Sequence, residues 1–202
     1  MTIQHQLRLD HITSFADAIF AFSITFMAIS IDIPNLAQNL TQTQVIDKLL
    51  QSTPEFVIYV ISFFVIGVYW IAYHQIFNQI VGSDTAVTWL TLVFLFFITL
   101  IPLATNMQIG YGSYQIVFVL YALVLTIAGA LSTIIWLHAT KNKLINQNMT
   151  QIEIHCVLLE STLSPAVFLL SILVSFIDLQ IAYYFWLVII PAKIVLRNKN
   201  KS

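Results

Sequence analysis

The stretch from residue 85 to 104, TAVTWLTLVFLFFITLIPLA, carries no charged side chain. A helix of about 20 apolar residues is as long as a bilayer core is thick. Lipid offers the backbone no hydrogen-bond partners, so a run of this kind must close its own bonds as a helix. Five further stretches have spanning length, and six spans are expected near 12–34, 55–78, 85–104, 114–138, 152–176 and 180–196. Composition supports lipid as the solvent. The chain of 202 residues is 59% hydrophobic and 8% charged, against about 25% charged in a soluble domain. The expected fold class is an all-α membrane protein with six transmembrane helices, forming a single domain over 1–202.

Boundary chemistry places the cuts. Thr53-Pro54-Glu55 reads as an N-cap, a proline at the first helical position and an acid in the first turn. Ser83-Asp84 caps the third span in the same way. Residues Val45, Ile46, Leu49 and Leu50 of the longest loop have helical spacing and predict a short amphipathic turn or two. The first span is too long, too weakly basic at its flank and too poor in cleavage-site residues for a signal peptide. Asn39-Leu40-Thr41 forms a glycosylation triplet, a pattern too short to carry weight. Orientation follows from the cations. With the N-terminus inside, Arg8, Lys141, Lys143, Lys193, Arg197, Lys199 and Lys201 fall on the cytoplasmic side and only Lys48 outside. This positive-inside bias requires an even number of spans and puts both termini in the cytoplasm.

Several chemistries are excluded. A net charge of −1 presents no basic surface for nucleic acid. One cysteine, Cys156, permits no intrachain disulfide. His5, His11, His74, His138 and His155 lie on different elements without ligand spacing, so no metal and no cofactor is expected. No G-x-S-x-G or other catalytic constellation stands out, and the chain is not read as an enzyme. The segment IGYGS at 109–113 is similar to the TVGYG filter of ordinary potassium channels, but about ten residues between two spans leave no room for the half-helix such a filter needs. Its glycines are read as a turn.

Two acids sit inside spans. A carboxylate costs about 2.5–3.5 kcal/mol at mid-membrane, so each should have a partner or a task. On the first span, a 100° step places Phe15, Ala18, Phe22, Thr25 or Phe26, Ile29 and Ile33 along one side. Asp17 falls with Ala21, Ile24 and Ala28 on nearly the opposite side, where the alanines at that spacing let another helix approach closely. Asp17 is therefore expected to face protein, while the apolar stripe faces either lipid or a hydrophobic pore. In the fifth span, Pro165 should free the carbonyl of residue 161 for Ser161 or Thr162. Glu160 beside them is either part of this local polar cluster or a proton site. A secondary transporter using Glu160 and Asp17 is the alternative function, although paired broken helices and an internal repeat are missing.

The segment FADAIFAFSITFMAISI resembles the signature of the transmembrane protein 175 family of potassium channels, Arg-x-x-x-Phe-Ser-Asp followed by an apolar, threonine-containing helix. Phe15 and Asp17 match, Ala16 replaces the serine, and His11 stands at the arginine position with Arg8 a turn earlier. YWIAYHQIF at 69–77 resembles the family's second-helix Trp and His segment, and LIPLAT at 100–105 its third-helix ending.

The resemblance implies a homotetramer of six-helix subunits in a prokaryotic plasma membrane, the first helix of each lining a central potassium pathway without a TVGYG filter. It implies an inter-helix network of His11, Phe15, Asp17, Trp70 and His74, in which Asp17 holds helices together and does not touch ions. It places Phe22 at the family's aliphatic constriction, with Phe26 and Ile29 as further apolar layers, and Thr25 at a threonine layer favouring potassium. Replacing arginine by His11 removes a permanent charge and five donors from the network.

Overall fold

The structure, a computed structural model, describes residues 3–29 and 41–189. Seven helices follow in order: α1 (Ile3–Ile29), α2 (Gln42–Gln51), α3 (Thr53–Phe77), α4 (Thr85–Tyr111), α5 (Gln115–Lys141), α6 (Gln151–Ser175) and α7 (Leu179–Phe185), with a 3-10 turn at Trp186–Val188. Among the described residues five helices, all but α2 and α7, are long and apolar enough to cross a membrane. The expected sixth span is represented by α7 and the turn after it. Its remainder, 190–196, lies outside the described residues, as do 30–34 with Ile33, Asn39 and Leu40 of the glycosylation triplet, and Lys193, Arg197, Lys199 and Lys201.

Helix ends follow local chemistry. Asp84 caps α4, its Oδ1 accepting from the Val87 N–H at 2.7 Å, as expected of the Ser83-Asp84 pair. The Thr53 expectation is corrected by one residue. Ser52 occupies the cap without a side-chain bond to α3, because its hydroxyl donates back to the Lys48 carbonyl of α2. The turn expected at 45–50 is a full helix of ten residues, α2, begun by a capping box between Thr41 and Gln44. The glycine turn is also shifted. α4 runs through Gly110 to Tyr111, and only residues 112–114 link it to α5.

The body is built around α4 and α5, with α1 and α3 packed on α4 and with α6 on α5. Lipid tails are as apolar as side chains, so close packing and hydrogen bonds must hold these helices together. Phe20, Tyr73 and Phe94 join α1, α3 and α4, the Tyr73 and Phe94 rings stacked 5.7 Å apart. On the other side of the bundle Trp186 packs among Phe118, Tyr121, Phe168 and Tyr183. Between them α5 and α6 approach at Gly129, where a Cβ would lie 2.8 Å from the Pro165 ring.

α6 is assigned as one helix through Pro165. Ser161 and Thr162 donate to the carbonyls of Leu158 and Leu159, not to that of residue 161. A helical hydroxyl reaches three or four residues back, so neither side chain can serve the carbonyl that proline frees.

The loops expected at the cytoplasmic side clasp one another. Val81 and Gly82 donate to the Leu144 carbonyl, Asn146 donates to Gln79, and Ile80 and Ile145 form an antiparallel bridge. The α5 end is closed by bonds from Lys143 to Thr140 and from Leu144 to Ala139, with Lys143 at φ 55°. This is a Schellman ending whose left-handed position holds lysine in place of glycine.

Candidate functional site

α1 presents three faces. Ala16, Phe20, Ser23 and Met27 recur at helical spacing and are buried against the neighbouring helices. Asp17 and Ile24 lie half-buried at the edge of that face, whereas Ala21 and Ala28 are exposed. The small-residue side expected against protein is therefore only its margin within one chain. The true contact face is rotated by about one residue, or 100°. Nothing in the hydropathy distinguishes these faces, because apolar residues occupy α1 all round.

Asp17 joins two side chains of α3. Its Oδ1 accepts from Trp70 Nε1–H at 2.7 Å and from His74 Nε2 at 2.8 Å. An acceptor on that side requires His74 to carry its proton on Nε2. Trp70 and His74 stand four residues apart on one face of α3, their rings edge to face at 4.7 Å. The side chains remain partly open, 47% for Asp17 and 29% for His74. Beside them Leu9, Asp10, Thr13 and Asn78 border a cavity of about 340 Å³. His11 and Phe15 are exposed, and among the described residues neither is hydrogen-bonded to the other three.

The apolar stripe lies on the surface of the chain. Phe22 is 62% and Ile29 77% exposed, with Phe15 and Phe26 also open. The Phe22 and Phe26 rings stack at 5.8 Å. Thr25 is exposed between them and its hydroxyl donates to the Ala21 carbonyl at 2.8 Å. That bond uses the proton only. It fixes the rotamer and leaves the oxygen lone pairs for a passing cation or water.

Other sequence candidates are placed apart from α1. Glu160 is half-buried on α6. His138, read from sequence as an isolated histidine, pairs through Nε2 with Asp84 Oδ2 at 2.7 Å. Burial pushes the Asp84 carboxyl up, but the Val87 N–H and the His138 ring outweigh it, and it lies below the usual carboxylate range. The topology held the signal for this pair, since the third span begins and the fourth ends at the same membrane surface. Tyr69 adds a tie that the sequence pattern does not reveal: its hydroxyl donates to the Leu125 carbonyl at 2.5 Å, joining α3 to α5.

Residues 11–102, which include the Asp17–Trp70–His74 cluster and the exposed stripe, match a family model described as endosomal/lysosomal potassium channel TMEM175. A potassium channel of Chamaesiphon minutus is 24% identical over 182 residues, 88% of this chain and 89% of its own. Over these residues the chain is similar to the TMEM175 family. It is a family of channels, not of enzymes, and the protein is a multi-pass membrane protein. A Streptomyces collinus potassium channel is a further relative, 27% identical over 134 residues and 64% of each chain. The crystal structure of a TMEM175 homologue from Chamaesiphon minutus has the same fold, with a TM-score of 0.79 at 20% identity over 96% of this chain and 99% of that one. The potassium channel MtTMEM175, solved with a nanobody fusion, reaches 0.67 at 18% identity over 95% and 93% of the two chains.

Proposed function

We propose that this chain is one subunit of a homotetrameric, leak-type potassium channel in a prokaryotic plasma membrane. The chain is one domain of six spans with both termini in the cytoplasm, and four copies of α1 surround a central pathway. Phe22 forms the constriction, with Phe26 and Ile29 as apolar layers that gate by excluding water. Thr25 supplies a ring of oxygens favouring potassium, and no TVGYG filter takes part. The Asp17, Trp70 and His74 cluster, with His11 and Phe15, belongs to the inter-helix framework and not to the ion path.

The observation that carries this reading is the exposure of the α1 stripe in a chain similar to this family. A row of phenylalanines with one threonine suits an axis where four copies meet. The test is flux from potassium-loaded liposomes containing the purified protein. A channel gives flux that rises with driving force without saturating and without a counter-substrate. Saturation, or dependence on a counter-ion or proton gradient, would instead indicate a carrier.

A further inference from the structure

Glu160 stands at the junction of two cavities between α3 and α6. One, of about 310 Å³, is walled by Phe64, Val65, Phe168 and Trp186, with Gly129 and Ser132 of α5 behind. The other, of about 460 Å³, opens among Gln75, Asn78 and Gln79 at the end of α3. Val68, Ala72, Glu160 and Ser161 border both. Glu160 lies nine residues into α6 from Gln151, about 14 Å along the helix axis. No hydrogen bond or ion pair engages its carboxylate among the described residues. The nearby hydroxyls of Ser161 and Thr162 are committed to backbone carbonyls. An ionisable group at such depth calls for a named partner.

We infer that the paired cavities bind a membrane-dissolved lipophilic amine, its ammonium on the Glu160 carboxylate and its hydrocarbon chain in the apolar cavity. Charge complementarity selects the cation. The neighbouring wall is hydrocarbon and aromatic, which suits an alkyl chain and offers nothing to a hydrated metal ion. Among the described lining residues neither cavity has a lysine, arginine or histidine. Among these residues a phosphate-bearing headgroup would meet a carboxylate with no cation beside it, whereas a simple ammonium meets its counter-charge. The carboxamides of the second cavity lead from the helix end to Glu160 and can pass an ammonium inward without stranding it in hydrocarbon. No residue of α1 borders either cavity, so this site is separate from the proposed ion path.

Bromine-tipped dodecylamine tests the inference, because bromine quenches tryptophan at short range and Trp186 lines the apolar cavity. The protein is held in phosphatidylcholine nanodiscs, and dodecanol with the same bromine serves as the neutral comparator. The amine is expected to quench saturably at a membrane concentration at least about ten-fold below that of the alcohol, the scale of a charged hydrogen bond. Glu160→Gln should remove that advantage, Ala72→Phe should block quenching by both probes, and Trp186→Phe should abolish the saturable signal. Equal quenching of the native protein by amine and alcohol overturns the inference whatever the variants do. Undiminished preference for the amine in Glu160→Gln overturns it as well.

Discussion

At the scale of single residues, Asp17 is the side chain whose sequence context and geometry agree most closely. A carboxylate inside an apolar helix needs donors, and Trp70 and His74 supply them to one oxygen. Asn at this position can still accept but carries no charge. With Asp17 side-chain exposure at 47%, the loss is that of a partly solvated charged hydrogen bond, about 1–2 kcal/mol. Asp17→Asn should therefore lower the melting temperature and weaken assembly on size-exclusion chromatography while selectivity is retained. Intact assembly with altered selectivity would place Asp17 in the ion path. Thr25 poses the opposite question. Its back-bond to Ala21 accounts for the proton but not for the exposed oxygen, and a weak oxygen ring favours potassium because that ion yields hydration water more readily than sodium. Thr25→Val keeps the shape and removes the oxygen. Reversal potentials under a potassium–sodium gradient should move toward equality, and an unchanged value in a conducting mutant would leave Thr25 without a selective role.

At the scale of elements, helix pairs are held by close approach and by end-to-end polar links. Gly129 lets α5 meet the Pro165 ring of α6, and a methyl there would lie 2.8–3.1 Å from three ring carbons. Gly129→Ala should destabilise the chain by about 1–3 kcal/mol through overpacking, read as a lower melting temperature in detergent. A melt equal to that of the native chain would mean that α5 and α6 separate freely. Asp84 links α4 to α5 while capping α4. Its pKa is depressed in the fold, so its charge-dependent contribution is fully present above the unfolded value of about 3.9 and is lost as pH falls through the lower folded value. Asp84→Asn can keep the cap but not the charge pair. The melting-temperature difference between native and Asp84→Asn protein should shrink toward zero as the Asp84 carboxylate is protonated in acid. A difference growing in acid would contradict the pairing.

At the scale of the whole molecule, the proposed assembly of copies is what would give the exposed α1 stripe a role. In the proposed tetramer four Phe22 rings meet at the axis, and truncating them widens the tightest apolar layer. Phe22→Ala should raise potassium leak in the liposome assay. Unchanged flux, together with a Phe22→Cys thiol inert to pore-entering reagents, would move the constriction elsewhere. Several features of this architecture were legible in the chain alone. Helices had to form wherever backbone met hydrocarbon, so apolar length predicted six spans, and five long helices match them within a few residues at most ends; α4 runs seven residues past its expected end and α1 begins nine residues before its expected start. Asp84 announced its cap, and the motifs around Asp17, Trp70 and His74 announced the resemblance to the family. The side of each helix that meets protein was not legible. In water, burial sorts polar from apolar residues, but in lipid both environments are apolar and that signal fades. Only tertiary packing selected Ala16, Phe20, Ser23 and Met27 as the contact face of α1 over Ala21 and Ala28. It alone brought Asp84 to His138 and set Gly129 against Pro165, because shape and hydrogen-bond geometry across distant segments decide those contacts.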